Sequence, residues 1–116
     1  MNLRRTLSPL ALTAAAASIS LAPAAHADAV AFIVNVTMRP GYNFPNADAA
    51  IAYGNGICDK IRAGEPFIQL VRETKADFDS SDDWQGIYII GQAAQELCPG
   101  LIWQLRKSAE GFTTAN

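Results

Sequence analysis

Across residues 47–63 the apolar positions Ala50, Tyr53, Gly54, Ile57, Cys58 and Ile61 recur at the spacing of one face of a 3.6-residue helix. Asn46 can cap its start, and Gly64 stands where a left-handed residue ends a helix. A second helix opens at Glu65 and Pro66, with proline suited to the first helical position, and Phe67, Leu70, Val71, Thr74 and Phe78 repeat the same period. The short connection and matching faces predict an antiparallel pair. Ser80 or Ser81, followed by Asp82 and Asp83, reads as the capped and acidic start of a third helix over 82–97. Trp84, Ile87, Gly91, Ala94 and Cys98 form its inner stripe. Tyr88, Ile90, Ala93 and Leu97 widen that stripe, which predicts burial on more than one side.

Pro99 and Gly100 interrupt this helix, and a short amphipathic stretch over 101–107 can return Ile102, Trp103 and Leu105 to the core. The tail at 111–116 reads as frayed. Residues 28–39 are ambiguous: Val30, Ile33, Val34, Val36 and Thr37 favour strand, while the rest of the chain is helical. A lone strand has no partner, so the segment is read as helix, ended by Pro40 and Gly41 before an aromatic linker, Tyr42 to Pro45. The expected fold is all-α, a small bundle of about four helices, or five if the stretch at 101–107 is counted. No internal repeat follows Ala27.

The first 27 residues read differently. Arg4 and Arg5 supply a positive start, residues 7–21 an apolar run, and Ala25, His26 and Ala27 a small-x-small cleavage site, the three parts of a secretory signal. Pro9, Pro23 and three serines interrupt the run, which argues against a retained anchor. The two arginines also leave a twin-arginine signal open as the export route. The expected organisation is a cleaved signal over 1–27, one helical domain over 28–110 and a flexible tail, in a protein that is secreted or held in the cell envelope without a transmembrane anchor.

Cleavage changes both charge and chemistry. It removes Arg4, Arg5 and the chain's one histidine, His26, leaving seven basic residues against 11 acidic and a net charge of about −4. That balance disfavours nucleic acid and anionic lipid as partners. Without histidine, Ser-His-Asp and Cys-His catalysis is unavailable, and there is no Gly-x-Ser-x-Gly elbow, phosphate loop or dinucleotide fingerprint. Two carboxylates can perform acid and base work, but carboxylates occur on nearly every surface. The chain is therefore read as a non-enzyme with no cofactor. Cys58 and Cys98 are the two cysteines of a small domain bound for an oxidising compartment. They are expected to pair and to stabilise the fold by roughly 4 kcal/mol in the chain-entropy model.

Together, Gly41 and Tyr42 near a proline, the run Gly56, Ile57, Cys58, Asp59 with Gly64 closing the helix, and the ending Gln92, Ala93, Ala94 to Leu97, Cys98, Pro99 carry a resemblance. Over residues 32–99 the chain resembles the small exported mycobacterial proteins grouped as domain of unknown function 732. The resemblance implies a compact helical domain with paired cysteines and an exported location, and it supplies no activity or catalytic residue. The β-branched first segment and the Ile102, Trp103 stretch depart from the family's usual pattern.

Three candidate sites remain. The acidic group Asp77, Asp79, Asp82 and Asp83 fails as a calcium loop, because Asp82 stands where the turn needs glycine and Tyr88 where a bidentate glutamate belongs. A solvated loop capping a helix explains it better than a metal site. Tyr53, Ile57, Phe67, Trp84 and Tyr88 are the candidate lining of an enclosed pocket for an apolar small molecule. Tyr42, Phe44 and Trp103 are the candidate exposed surface for a protein partner. A non-catalytic interaction or envelope-associated role is favoured, with carriage of a small apolar ligand as the alternative.

Overall fold

The computed structural model describes residues 24–114. The secretory signal expected over 1–27 lies outside them except for its last four residues, and so do the final two residues of the tail. Five helices follow in order: α1 (Ala24–Met38), α2 (Ala47–Arg62), α3 (Phe67–Asp77), α4 (Asp83–Glu96) and α5 (Ile102–Ser108), with a 3-10 turn at Pro99–Leu101. The described residues contain no strand.

Residues of strand propensity form α1 because a helix satisfies its own backbone groups and packing rewards the result. Phe32 and Val36, four residues apart, bury one face at 0% and 1% exposure. The other helices start and stop on local chemistry. Asn46 Oδ1 accepts from Ala49 N–H at 2.8 Å to cap α2. At its far end Gly64, at φ +92°, closes a Schellman motif in which Glu65 N–H reaches the Lys60 carbonyl. The same motif ends α3 with an aspartate in the left-handed position, since Asp79 has φ 52° and Ser80 N–H bonds the Lys75 carbonyl. Pro66 sits at the cap of α3, one residue before the first helical position expected for it. Asp82 caps α4 by accepting from Trp84 N–H at 3.0 Å.

At the centre lies α4, against which α1, α2 and α3 all pack. Ile89, Ile90, Ala93 and Ala94 are 0–1% exposed, so the expectation of burial on several sides holds. Its rotation differs from the predicted stripe. Trp84 is turned out, 54% exposed, while Asp83, Gln85 and Gly86 are turned in. The reason is polar: Asp83 receives a bond from Lys75, and Gln85 bonds the connection after α1. A reading that sends polar residues outward misplaces both.

The expected α2–α3 pair also changes. The two run antiparallel, as the Lys60–Glu73 and Tyr53–Asp77 side-chain bonds show by their register. Their close packing, however, is with α4 rather than with each other. A Cys58–Cys98 disulfide, with Cα atoms 6.1 Å apart, ties α2 to the end of α4. Beyond it, Leu105 of α5 is buried, and Phe112, expected in a frayed tail, meets the Phe67 ring edge-on at 5.0 Å.

Candidate functional site

The five residues expected to enclose a pocket do not do so. Ile57 and Phe67 are buried in the core, Tyr53 and Tyr88 are half-buried, and Trp84 faces solvent. None of them lines either of two surface clefts, of about 400 and 190 Å³. The residues expected to form an exposed surface also separate. Trp103 lies 73% exposed on α5 with the Arg106 guanidinium over its ring, whereas Tyr42 is 4% exposed and Phe44 half-buried.

Instead, Tyr42 and Phe44 join Tyr53 and Phe78 in one aromatic cluster. Tyr42 meets Phe78 edge-on at 4.8 Å, Phe44 meets it at 5.6 Å, and Tyr53 lies tilted 4.9 Å away. Such edge-to-face contacts place the positive ring edge on a neighbour's negative face. Tyr53 O–H donates to Asp77 Oδ2 at 2.7 Å and Tyr42 O–H donates to the Gln85 carbonyl at 2.6 Å. Burial pushes the Tyr42 hydroxyl up to about 12, and burial followed by the Asp77 bond raises that of Tyr53. Both stay protonated donors at neutral pH. The cluster is a structural joint between the 39–46 connection, α2 and the end of α3.

The acidic group is likewise engaged in structure. Asp77 holds Tyr53, Asp79 takes the left-handed turn, Asp82 caps α4, and Asp83, 5% exposed, accepts a bond from Lys75 Nζ. Among the described residues no group of three or more His, Cys, Asp or Glu is placed to hold a metal ion.

Two features that the sequence reading missed remain open to solvent. The first is the outer face of α1. Val30, Val34 and Met38, spaced every four residues, are 66%, 49% and 78% exposed, so α1 is apolar on the side away from the core as well as toward it. The signal was present: the helix carries no charged residue from Ala29 to Met38.

The second feature is the larger cleft, beside that face, between the end of α1, the 39–46 connection and the start of α2. Its floor is the buried pair Val36 and Ala50, with Ile33 and Phe44 as walls and Thr37, Asn43 and Asn46 at the rim. Arg39 is the one charged residue among those lining it.

Gln85, from α4, organises that cleft's back wall. Its Oε1 accepts from Arg39 Nε at 3.0 Å and its Nε2 donates to the Pro40 carbonyl at 2.9 Å. Gly41, at φ +111°, passes so close that a Cβ there would come within 2.3 Å of Gln85 Nε2. The Arg39 guanidinium also lies 4.8 Å from the centre of the Tyr88 ring, a cation–π distance. No sequence signal marks Gln85. Its role depends on a chain reversal between α1 and α2 that brings residues 39–42 onto α4.

Among the described residues no helix is long and apolar enough to cross a membrane. Neither a curated protein nor a solved structure matches the chain. A family model does match, over residues 27–100, a span that runs from α1 through the second disulfide cysteine. The chain belongs to the family described as protein of unknown function, DUF732.

Proposed function

We propose that this protein is an exported, non-catalytic interaction domain whose contact surface is the outer face of α1. The observation that carries the reading is the exposed row Val30, Val34 and Met38. A helix apolar on all sides belongs inside an assembly, and contiguous exposed apolar residues mark a contact surface. The partner is a protein presenting an apolar face. Lipid is disfavoured because α1 has no Lys or Arg from Ala29 to Met38 to meet anionic headgroups, and because the mature net charge is about −4. The acidic group fits a scaffold role, since Asp82 caps α4 and Asp83 pairs with Lys75.

Photo-crosslinking in the living source cell tests the surface. A crosslinker at Val34 or Met38 is expected to give one discrete protein adduct that Val30→Glu removes, while the same group at Gln95 gives none. Absence of the Val34 adduct, or equal labelling at Gln95, overturns the reading. Export has its own test: the protein recovered from culture filtrate should have the mass of residues 28–116 less two hydrogens. Recovery of the full chain, still reduced and cell-bound, would remove the exported part of the proposal.

A further inference from the structure

We propose that the cleft between α1 and α2 binds a small amphiphile carrying a single carboxylate, with the carboxylate on Arg39 and the apolar chain over Val36, Ala50 and Phe44. At about 400 Å³ the cleft falls in the size range of small-molecule sites. Its floor and its charge call for different parts of one ligand. Val36 and Ala50, 1% and 2% exposed, are core side chains that form the base of an opening, and Ile33 and Phe44 extend the apolar wall. Apolar surface of this kind gains by covering with hydrocarbon.

Arg39 supplies the other half. The ion pairs among the described residues use Lys60, Arg62 and Lys75, and none uses Arg39. Its Nε donates to Gln85 and its guanidinium lies within hydrogen-bonding reach of the Tyr42 hydroxyl, but no carboxylate among the described residues pairs with it. A guanidinium carries five N–H donors, so terminal donors beyond these two contacts remain to meet a carboxylate at the cleft. Gln85 and the Tyr88 ring already hold the guanidinium in place, so little side-chain freedom is lost when a ligand arrives. Asp48, the acidic residue in the first turn of α2, is exposed and does not line the cleft.

One cation over an apolar floor selects a monoanion with a hydrocarbon chain. A phosphate monoester brings more charge than one guanidinium balances, and free phosphate also leaves the floor uncovered. The site differs from the pocket expected around Tyr53 and Trp84, and it is separate from the Val30, Val34 and Met38 row, so it stands or falls independently of the interaction surface.

The test is an NMR titration of the ¹⁵N-labelled, disulfide-intact protein with decanoate, and with methyl decanoate as the uncharged control. Decanoate is expected to move the Gly41, Asn43, Asn46 and Ala47 amides saturably and to bind at least about tenfold more tightly than the ester, the scale of one charge-assisted bidentate contact. Arg39→Gln should remove that preference while leaving ester binding little changed. Thr37→Trp, which fills the cleft from its exposed rim without touching the core, should abolish both and stands as the second variant if Arg39→Gln does not fold. Absence of saturable shifts, shifts confined to the smaller cleft around Ile68 and Phe112, or binding unaffected by Thr37→Trp would each overturn the proposal. So would equal affinity for acid and ester.

Discussion

The two contacts that α4 makes on opposite sides are built from different materials. Toward α3 the contact is close, with one ion pair, Lys75 to Asp83, at its end. Gly86 allows an approach at which a Cβ would stand 2.8 Å from Thr74 Oγ1 and 3.2 Å from the Val71 carbonyl, and Thr74, 3% exposed, turns its hydroxyl back onto the Leu70 carbonyl. Toward α1 the contact pairs the buried Phe32 and Val36 with a run of polar bridges. Asn35 Nδ2 donates to Gln92 Oε1 at 2.7 Å, Tyr88 O–H to the Asn35 carbonyl at 3.4 Å, and Arg39 Nε to Gln85. Close apolar packing resists any change of volume, whereas hydrogen bonds specify orientation at a modest net stabilisation. The α3 side holds the bundle together, and the α1 side sets where Arg39 and the cleft sit.

Removing what both sides share gives the largest effect. Replacing Cys58 and Cys98 together by alanine is expected to cost about 4 kcal/mol, read by urea denaturation, because the bond closes a long loop between α2 and the end of α4. Amide protection should fall on both sides of α4. An unchanged denaturation midpoint would show that the bond does not constrain the unfolded chain.

Gly86→Ala separates the two contacts. Its Cβ has no room, so a loss of about 1–3 kcal/mol is expected, with exchange accelerated in α3 and the cleft amides unaltered. Adding Thr74→Ala should recover part of that loss, since it removes the Oγ1 at 2.8 Å and leaves the Val71 carbonyl. A neutral Gly86→Ala would mean that α3 and α4 are not in close contact.

The converse change is Gln85→Leu. It strips partners from Arg39 Nε and the Pro40 carbonyl at a part-buried site, an expected cost of about 1–2 kcal/mol. Hydrogen exchange should quicken at residues 39–42 while α3 keeps its protection. Equal loosening of α3 would dissolve the distinction between the two sides.

The smallest effect concerns the surface bonds that join α2 to α3. Lys60 and then Gln69 lower the Glu73 carboxyl to about 2. A depressed folded pKa contributes stability that is present above the ordinary value near 4.5 and lost as pH falls toward 2. Bonding to Glu73 raises Lys60, whose contribution is present below its ordinary pKa of 10.5 and lost as pH rises above it. Glu65 opposes Glu73: burial, then the Glu73 carboxyl beside it, raises its pKa, and its Oε2 is buried without a partner. Its ionisation therefore weakens the fold as pH rises. Because Lys60 and Glu73 are each about a third or more exposed, Glu73→Gln should cost only a few tenths of a kcal/mol at pH 7 and nothing near pH 2. A larger loss at pH 7 in a melting series would make α2 and α3 a true packed pair.

Much of the fold was legible in the sequence because local chemistry decides it. Asn46 and Asp82 cap, Gly64 turns left, and Pro99 stops α4, each through its own side chain or backbone. The candidate sites were less legible. Tyr42 and Trp84 exchanged their expected places, the first packed against Phe44 and Phe78, the second turned out when Asp83 and Gln85 found polar partners on other elements.

By itself, then, the sequence determined that the chain is helical, where α2, α3 and α4 begin and end to within a residue, and that two cysteines are present to close one bond, since caps, periodicity and composition act over a few residues. Only the tertiary structure decided which face of α4 turns inward, that Arg39 stands at a cleft without a carboxylate, and that Val30, Val34 and Met38 remain uncovered. These depend on which distant residues the α1–α2 reversal and the α3–α4 approach bring within bonding distance, and no periodicity records that.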